Sequence, residues 1–284
     1  MAEKPGTLYL CATPIGNLED MTLRAIRILK EVNVIAAEDT RYTRQLLTHF
    51  DIHTPLISYH EHNKTTRGPE LLARLEAGED IAVVSDAGLP GISDPGADLV
   101  GLALTAGIQA VPLPGCNAAL SALICSGLDS TMFTFVGFLP KTKKKRREFL
   151  EKLAKNPYTL LMYEAPHRLR QTLGELQEAF GDRPAVAARE LTKRFEQFVR
   201  GTIGSLQEHF AIHMPRGEFT LVVAGSSSQP EEAGSDTVDS TSIPDAVFAL
   251  VAQGLDKKNA IRTVAEQRKL PKRVVYQAVV EAEK

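Results

Sequence analysis

Residues 81–96, IAVVSDAGLPGISDPG, read as a short buried strand running directly into a loop crowded with special backbone positions. The run Ile81–Ser85 is apolar without alternation, as suits a strand covered on both faces. Beyond it, three glycines and two prolines fall within residues 85–96, more than a plain connection needs. Long glycine-rich loops held on a rigid scaffold are often binding loops. Asp86 follows the strand at once, where its carboxylate can accept hydrogen bonds from a ligand or close a local turn. Asp94 reads as a helix N-cap with Pro95 at the first helical position.

The same rhythm extends to either side. Residues 7–13 (TLYLCAT), 32–37 (VNVIAA) and 108–113 (IQAVPL) read as strands. Between them Leu23, Ile26, Leu29 and Val32 recur at the spacing of one helix face, and further helices are expected over about 40–50, 70–77 and 116–126. Strands alternating with helices imply a mostly parallel sheet covered on both faces. In such sheets ligands bind at the carboxyl ends of the strands. Two more tight loops lie at such ends: Thr13-Pro14-Ile15-Gly16-Asn17 and Pro114-Gly115-Cys116-Asn117-Ala118. Neither forms the G-x-G-x-x-G fingerprint of a dinucleotide site.

From Thr131 the pattern changes. Strands are expected at 133–139, 158–164, 184–190, 196–202 and 218–225, with helices at about 143–155, 167–180 and 203–213. The short connection between 184–190 and 196–202 suggests an antiparallel pair, hence a second α/β domain with a mixed sheet. Residues 226–242, SSSQPEEAGSDTVDSTS, are too polar to hold one packed conformation and read as a linker. Beyond them, apolar positions from Val247 to Val279 mark three helices, the last two spaced like a helix-turn-helix. The expected divisions are 1–128, 129–225, a flexible linker 226–243, and a helical tail 244–284.

Composition bounds the function. Hydrophobic residues at 43% and charged residues at 24% are ordinary for a globular protein. Cys11, Cys116 and Cys125 show no metal-ligand spacing and leave an odd thiol, which suits a reducing compartment. No apolar run is long enough to span a bilayer and the N-terminus lacks a signal-type apolar region, so a cytoplasmic protein without a membrane partner is expected. The net charge of −2 does not announce a nucleic-acid binder, but its distribution is uneven. Residues 141–147 carry six positive charges in seven positions: Lys141, Lys143, Lys144, Lys145, Arg146 and Arg147. From 256 to 284 there are eight Lys/Arg against four Asp/Glu, with Lys272 and Arg273 where a recognition helix would begin. Clustered cations bind phosphate whatever the total charge, and so many on one helix repel each other until counter-charges arrive.

Taken together, LYLCATPIGNLED (8–20), VIAAEDTR (34–41), VSDAGLPGISDPG (84–96), VPLPGCNAAL (111–120), GFLP (137–140), YEAPHRL (163–169), ARELTKRFE (188–196) and RGEFTLVV (216–223) closely resemble the ribosomal RNA small subunit methyltransferase I family. The blocks occur in order along essentially the whole chain. The resemblance implies the two-domain tetrapyrrole-methylase-like α/β fold, a parallel sheet domain plus a mixed sheet domain, with a helical tail. It implies methyl transfer from S-adenosyl-L-methionine to the ribose 2′-hydroxyl of a cytidine in the decoding region of 16S rRNA, within the small ribosomal subunit. A homodimer is implied as well. The cofactor pocket would be built from Pro14, Ile15 and Gly16; Asp86, Ala87 and Leu89; Cys116, Asn117 and Ala118; Tyr163 and Glu164; and Ala188, Phe219 and Thr220. Where tetrapyrrole methylases usually carry a GxGxG-like first loop this chain has TPIGN, which favours RNA over porphyrin chemistry.

Methyl transfer from a sulfonium needs positioning above all, and no metal in principle. A ribose hydroxyl benefits from a base or a nearby cation. The candidates are Glu38, Asp39 and Arg41 in AEDTR, and Glu190 and Lys193 in ARELTK. A local ion pair and cap between Glu38 and Arg41 is the plainer alternative. His60 and His62 lack an evident third ligand, so no metal is expected, and His167 is expected to support the site. The nearest rival is a tetrapyrrole or other small-molecule methyltransferase, which would need neither the basic run nor the tail. A non-catalytic RNA-binding protein would not need three glycine-rich loops at strand ends.

Overall fold

The structure, a computed structural model, describes residues 4–92, 94–226, 242–252, 254–268 and 270–282. The chain divides into two compact units, Met1–Ser227 and Ser228–Lys284.

The first half of the larger unit follows the expected alternation: β1 (Leu8–Cys11), α1 (Leu23–Glu31), β2 (Val34–Ala37), α2 (Thr40–His49), β3 (Leu56–Ser58), α3 (Lys64–Glu76), β4 (Ile81–Val84), α4 (Gly96–Thr105), β5 (Ala110–Leu113) and α5 (Ala118–Ser126). The five strands lie in the order β3-β2-β4-β1-β5, all parallel. Alternate residues of each strand face opposite layers. Cys11, Ile35 and Ala37 pack with Ala25, Ile28 and Leu29 of α1. Leu8, Val34 and Ala36 pack with Leu71 and Leu75 of α3 and Leu99 and Ala103 of α4. Burial on both sides is why these strands are apolar runs without polar alternation.

The second half is β6 (Phe133–Phe138), α6 (Lys143–Leu153), β7 (Thr159–Glu164), α7 (Pro166–Phe180), β8 (Pro184–Arg189), β9 (Gln197–Thr202), α8 (Ile203–Ile212) and β10 (Phe219–Val223). Its sheet runs β6-β7-β10-β8-β9, with only β6 and β7 parallel. One face packs on α6, α7 and α8 through Leu150, Leu173 and Leu206. The other carries α5, whose Ala119, Ala122 and Leu123 meet Leu161, Val186 and Val222. Helix α5 therefore belongs to the first sheet by connection and to the second by packing, which brings the carboxyl ends of the first sheet beside the second.

The smaller unit holds α9 (Ile243–Ala252), α10 (Lys257–Gln267) and α11 (Lys272–Ala282), closed around Val247, Ile261, Val264, Val275 and Val279. Asp256 caps α10 by accepting from Asn259 N at 3.1 Å. Most of the expected linker, residues 227–241, lies outside the described residues.

Three local expectations are corrected. Helix α3 begins at Lys64 rather than near Glu70, with Pro69 inside it. Gly68-Pro69 resembles a break, but Lys64 N and Arg67 N already bond to the carbonyls of His60 and Asn63. Strand β3, only three residues long, was not expected at all. Helix α4 is capped by Pro95 and starts at Gly96, while the Asp94 carboxylate accepts from Gly91 N and Gly96 N, both at 2.8 Å.

Candidate active site

The loops after β1 and β4 are joined as a short antiparallel bridge. Thr13 N donates to Gly88 O at 2.9 Å, and Gly88 N donates back to Thr13 O at 3.0 Å. Thr13 is buried, and its hydroxyl also donates to Ser85 O at 3.1 Å. Gly88 stands at φ +84°, a backbone state that lets the loop turn back toward β1 and that other residues adopt only with strain. The strand-end loops thus form a fixed floor.

Above that floor lies a cavity of about 610 Å³, between the carboxyl ends of the first sheet and one face of the second. From the first sheet it is lined by Ile15 after β1, Glu38 after β2, Asp86, Ala87 and Leu89 after β4, and Asn117 and Ala118 after β5. The second sheet contributes Tyr163 and Glu164 of β7, Ala188 of β8, and Phe219 and Thr220 of β10. Pro14 and Gly16 line instead an adjoining hollow of about 240 Å³, together with Tyr42. Cys116 is outside the lining, its Sγ set 3.6 Å from Asp20 O. His167 is exposed and also outside it.

Five carboxylates line the cavity, Glu38, Asp86, Asp94, Glu164 and Glu218, and among the described lining residues there is no Lys, Arg or His. Asp94 and Glu218 were not singled out from sequence. Asp94 reads there as a cap, and Glu218 sits beside Gly217 with no spacing that marks it. Three of the carboxylates are held by their own surroundings, Asp94 by the amides of Gly91 and Gly96. Glu164, 2% exposed, accepts from Ala165 N at 2.9 Å and from the Thr172 hydroxyl, with Arg168 Nε 3.7 Å away. Asp86 Oδ1 accepts from Asp39 N at 2.9 Å.

Glu38 has a different character. Burial pushes its carboxyl above the ordinary glutamate range, and the nearby Asp86 and Asp94 push the same way. The Asp86 backbone amide and His60 oppose this without cancelling it. The alternative reading, an ion pair between Glu38 and Arg41, is not what forms: Arg41 pairs with Asp39. Asp39 is the N-cap of α2, accepting from Arg41 N at 2.8 Å, and its carboxylate also holds the Arg41 guanidinium at 2.9 Å. That pairing draws the Asp39 carboxyl down to about 2. Neither Asp39 nor Arg41 lines the cavity, and neither do Glu190 and Lys193, which lie in the turn between β8 and β9.

The basic run is split by the phase of α6. Lys141, Lys143, Lys144, Lys145 and Arg147 are exposed, Arg147 pairing with Glu151 at 2.9 Å. Arg146 is corrected: it is 4% exposed, with its guanidinium on the Glu175 carboxylate and on the carbonyls of Pro140 and Lys141. It lies one turn before buried Leu150 and serves the core, so it cannot reach a phosphate. Lys272 and Arg273 are exposed in the first turn of α11. His60 and His62 stand with ring centroids 6.0 Å apart, and no group of three His, Cys, Asp or Glu among the described residues could hold a metal ion. No helix among them is long and apolar enough to cross a membrane.

Comparison with known proteins gives a consistent set of relatives. Residues 7–207 match the family described as tetrapyrrole (corrin/porphyrin) methylases. A "Ribosomal RNA small subunit methyltransferase I" of Synechocystis sp. is 50% identical, covering 98% of this chain and 99% of its own length. The protein of that name from Bacillus subtilis is 48% identical, over 96% of this chain and 94% of its own. Among solved structures, uroporphyrin-III C-methyltransferase from Thermus thermophilus, complexed with S-adenyl homocysteine, superposes with a TM-score of 0.55 at 19% identity. That likeness covers 76% of this chain and 97% of the other. Diphthine synthase superposes with a TM-score of 0.58 at 12% identity, over 77% of this chain and 90% of its own.

Proposed function

This chain belongs to the ribosomal RNA small subunit methyltransferase I family, on the tetrapyrrole-methylase fold, and from that membership we propose that it is an S-adenosylmethionine-dependent 16S rRNA (cytidine-2′-O)-methyltransferase. The target is a cytidine of the decoding region, presented within the small ribosomal subunit in the cytoplasm.

The observation that carries this reading is the sign of the cavity. Five carboxylates and, among the described residues, no cation line it, a potential that attracts a sulfonium and repels nucleoside di- and triphosphates. The fit extends to shape. Ala87, Ala118 and Ala188 leave room for a flat ring, Leu89 offers an apolar wall, and a volume of about 610 Å³ suits a ligand of that size. S-adenosylmethionine bound there would supply an already activated methyl group.

The residues of the chain must then orient the ribose and take its proton. Glu38 is the base: it reaches the cavity, and its raised pKa brings it nearer the working pH, where a general base is most effective. Asp86 fixes the adjacent Asp39 and adds negative charge beside Glu38. The exposed lysines at the start of α6, with Lys272 and Arg273 of the smaller unit, are the phosphate-binding groups.

A homodimer is part of the proposal. Leu120 and Ile124 on the outer side of α5 are 45% and 75% exposed, and the aromatic side chains of Phe133 and Phe135 stand exposed on edge strand β6. Phe135 packs on Tyr163, 5.3 Å between centroids, which sets this apolar area on the α5 face of the sheet. A second copy would cover it.

The test is methyl transfer from labelled S-adenosylmethionine to 16S rRNA and to small subunits, both from cells that lack the modification. A label that protects one phosphodiester next to a cytidine from alkali is the expected result. Cofactor binding without transfer to either RNA would move the assignment to a small-molecule methyltransferase.

A further inference from the structure

A ribose 2′-hydroxyl is never far from negative charge, because the phosphodiester on the neighbouring 3′-oxygen comes with it. An acidic cavity that takes a 2′-hydroxyl therefore needs a cation at its rim, and that cation must be available when RNA arrives. This inference rests on the RNA reading above.

Lys193 meets the requirement by its geometry. It lies in the turn after β8, with its ammonium 2.8 Å from Glu218 Oε2 and 3.0 Å from Glu190 Oε1. Glu218 lines the cavity, and Glu190 does not. The lysine stem runs across the first loop of the other sheet. A Cβ at Gly16 would lie 2.4 Å from Lys193 Cγ and 2.8 Å from its Cε, so only glycine admits this path. The turn itself is strained, with Glu190 at φ 51° and Thr192 at φ 67°, both left-handed and neither a glycine. Such conformations cost free energy and cluster where function requires a fixed position.

The two carboxylate partners differ. The Glu190 side chain is 18% exposed, and its Oε1 is also held by Glu218 N at 3.0 Å. The Glu218 side chain is 79% exposed and is fixed by little besides the lysine. An exposed ion pair of that kind contributes little and exchanges readily. Arg168 offers no comparable exchange: its partner Glu164 has a side chain only 1% exposed, sealed against an incoming anion.

We propose that Lys193 is the binding residue for a backbone phosphate next to the target ribose, and that Glu218 occupies the place of that phosphate until RNA displaces it. Glu190 stays as the fixed partner that keeps the ammonium at the rim. Arg194 and Arg216, both exposed close by in sequence to Lys193 and Glu218, widen the same cationic edge.

The test is steady-state methyl transfer to small ribosomal subunits from cells lacking the modification, at saturating S-adenosylmethionine. Wild type is compared with Glu218→Gln, Lys193→Gln and the double variant. Glu218→Gln is expected to lower the KM for subunits about two- to fivefold, the equivalent of an exposed ion pair. Lys193→Gln is expected to raise it about ten- to a hundredfold, the scale of a charge-assisted hydrogen bond. The double variant should match Lys193→Gln alone. In binding to decoding-region RNA, Lys193→Gln should also reduce the salt slope by about one.

An unchanged or raised KM in Glu218→Gln, or a gain that survives in the double variant, would overturn the exchange even if Lys193→Gln failed to fold. Transfer by the wild type would leave the RNA reading intact in that case. No transfer by the wild type would remove the RNA reading, and this proposal with it.

Discussion

The backbone amide of Asp39 donates to Oδ1 of Asp86 at 2.9 Å, tying the carboxyl end of β2 to that of β4 across the floor of the cavity. Asp86 therefore acts on Glu38 in two ways: it fixes the next residue in the chain, and its charge helps raise the Glu38 carboxyl. Asp86→Asn can keep the acceptor while removing the charge. The acidic limb of kcat/KM against pH should then move to lower pH. Asp86→Ala loses both contributions and should weaken S-adenosylmethionine binding by roughly 10–100-fold, the usual scale for a charged hydrogen-bond partner, as read by titration calorimetry.

Glu38→Gln should lower kcat about 10²–10⁴-fold, the range for losing a general base, with a smaller effect on cofactor affinity. In the wild type, activity should fall as pH drops through the raised pKa of Glu38, above the ordinary glutamate range, and Glu38→Gln should lack that limb.

The same shift predicts a stability change of opposite sense. A carboxyl whose folded pKa lies above its unfolded value favours the fold below the unfolded pKa, about 4.3, and loses that contribution as pH rises through the folded pKa. Glu38→Gln, which mimics the protonated form, should therefore melt at a higher temperature than wild type at neutral pH. The difference should fade toward pH 4. Scanning calorimetry of both proteins at the two pH values checks it.

How far the sequence could be read depended on the physical signal at each place. Fully apolar strands followed by glycine-rich loops announce a parallel sheet and its ligand-binding edge, because few other structures need both. The loops at Asp86–Leu89 and Asn117–Ala118 line the cavity, whereas Pro14, Gly16 and Cys116 stand just outside it. Strand β3 gave no such signal: Leu56-Ile57-Ser58 is too short for a period to appear. Which acid caps α2 depended on a shift of one residue, and the structure chose Asp39 over Glu38. Glu218 becomes conspicuous only when the fold brings Lys193 to it across 25 positions of sequence.

Replacing Lys141, Lys143, Lys144 and Lys145 together by Gln removes four exposed charges and leaves the core packing untouched. RNA affinity should fall, and the slope of log K against log salt should flatten by roughly 0.7–0.9 for each phosphate that is no longer neutralised. The melting temperature and the affinity for S-adenosylmethionine should stay close to wild type. A salt titration of RNA binding, run beside a thermal melt, separates these effects.

Arg146 should behave in the opposite way from the lysines around it. Its side chain is 4% exposed, and its Nη2 donates to Glu175 Oε1 at 2.7 Å while Nη1 donates to the carbonyls of Pro140 and Lys141 at 3.1 and 3.0 Å. Arg146→Gln leaves Glu175, 18% exposed, with only the neutral Gln171 amide at 2.9 Å, and since breaking a fully buried pair costs about 3–5 kcal/mol the loss should fall toward the lower end of that range. Urea unfolding should show that loss, whereas the salt slope of RNA binding by the folded variant should not change. The Arg146 hydrogen bond holds the Glu175 carboxyl below the ordinary range, so the pair stabilises the fold above the unfolded glutamate pKa and loses its contribution as pH falls through the depressed folded value. The gap between wild type and Glu175→Gln should accordingly be widest near neutrality and shrink on acidification. Arg146→Met with Glu175→Leu, which removes both charges, should recover much of the stability missing from either single variant. A flattened salt slope in Arg146→Gln, with unfolding free energy unchanged, would return this residue to the RNA-binding surface.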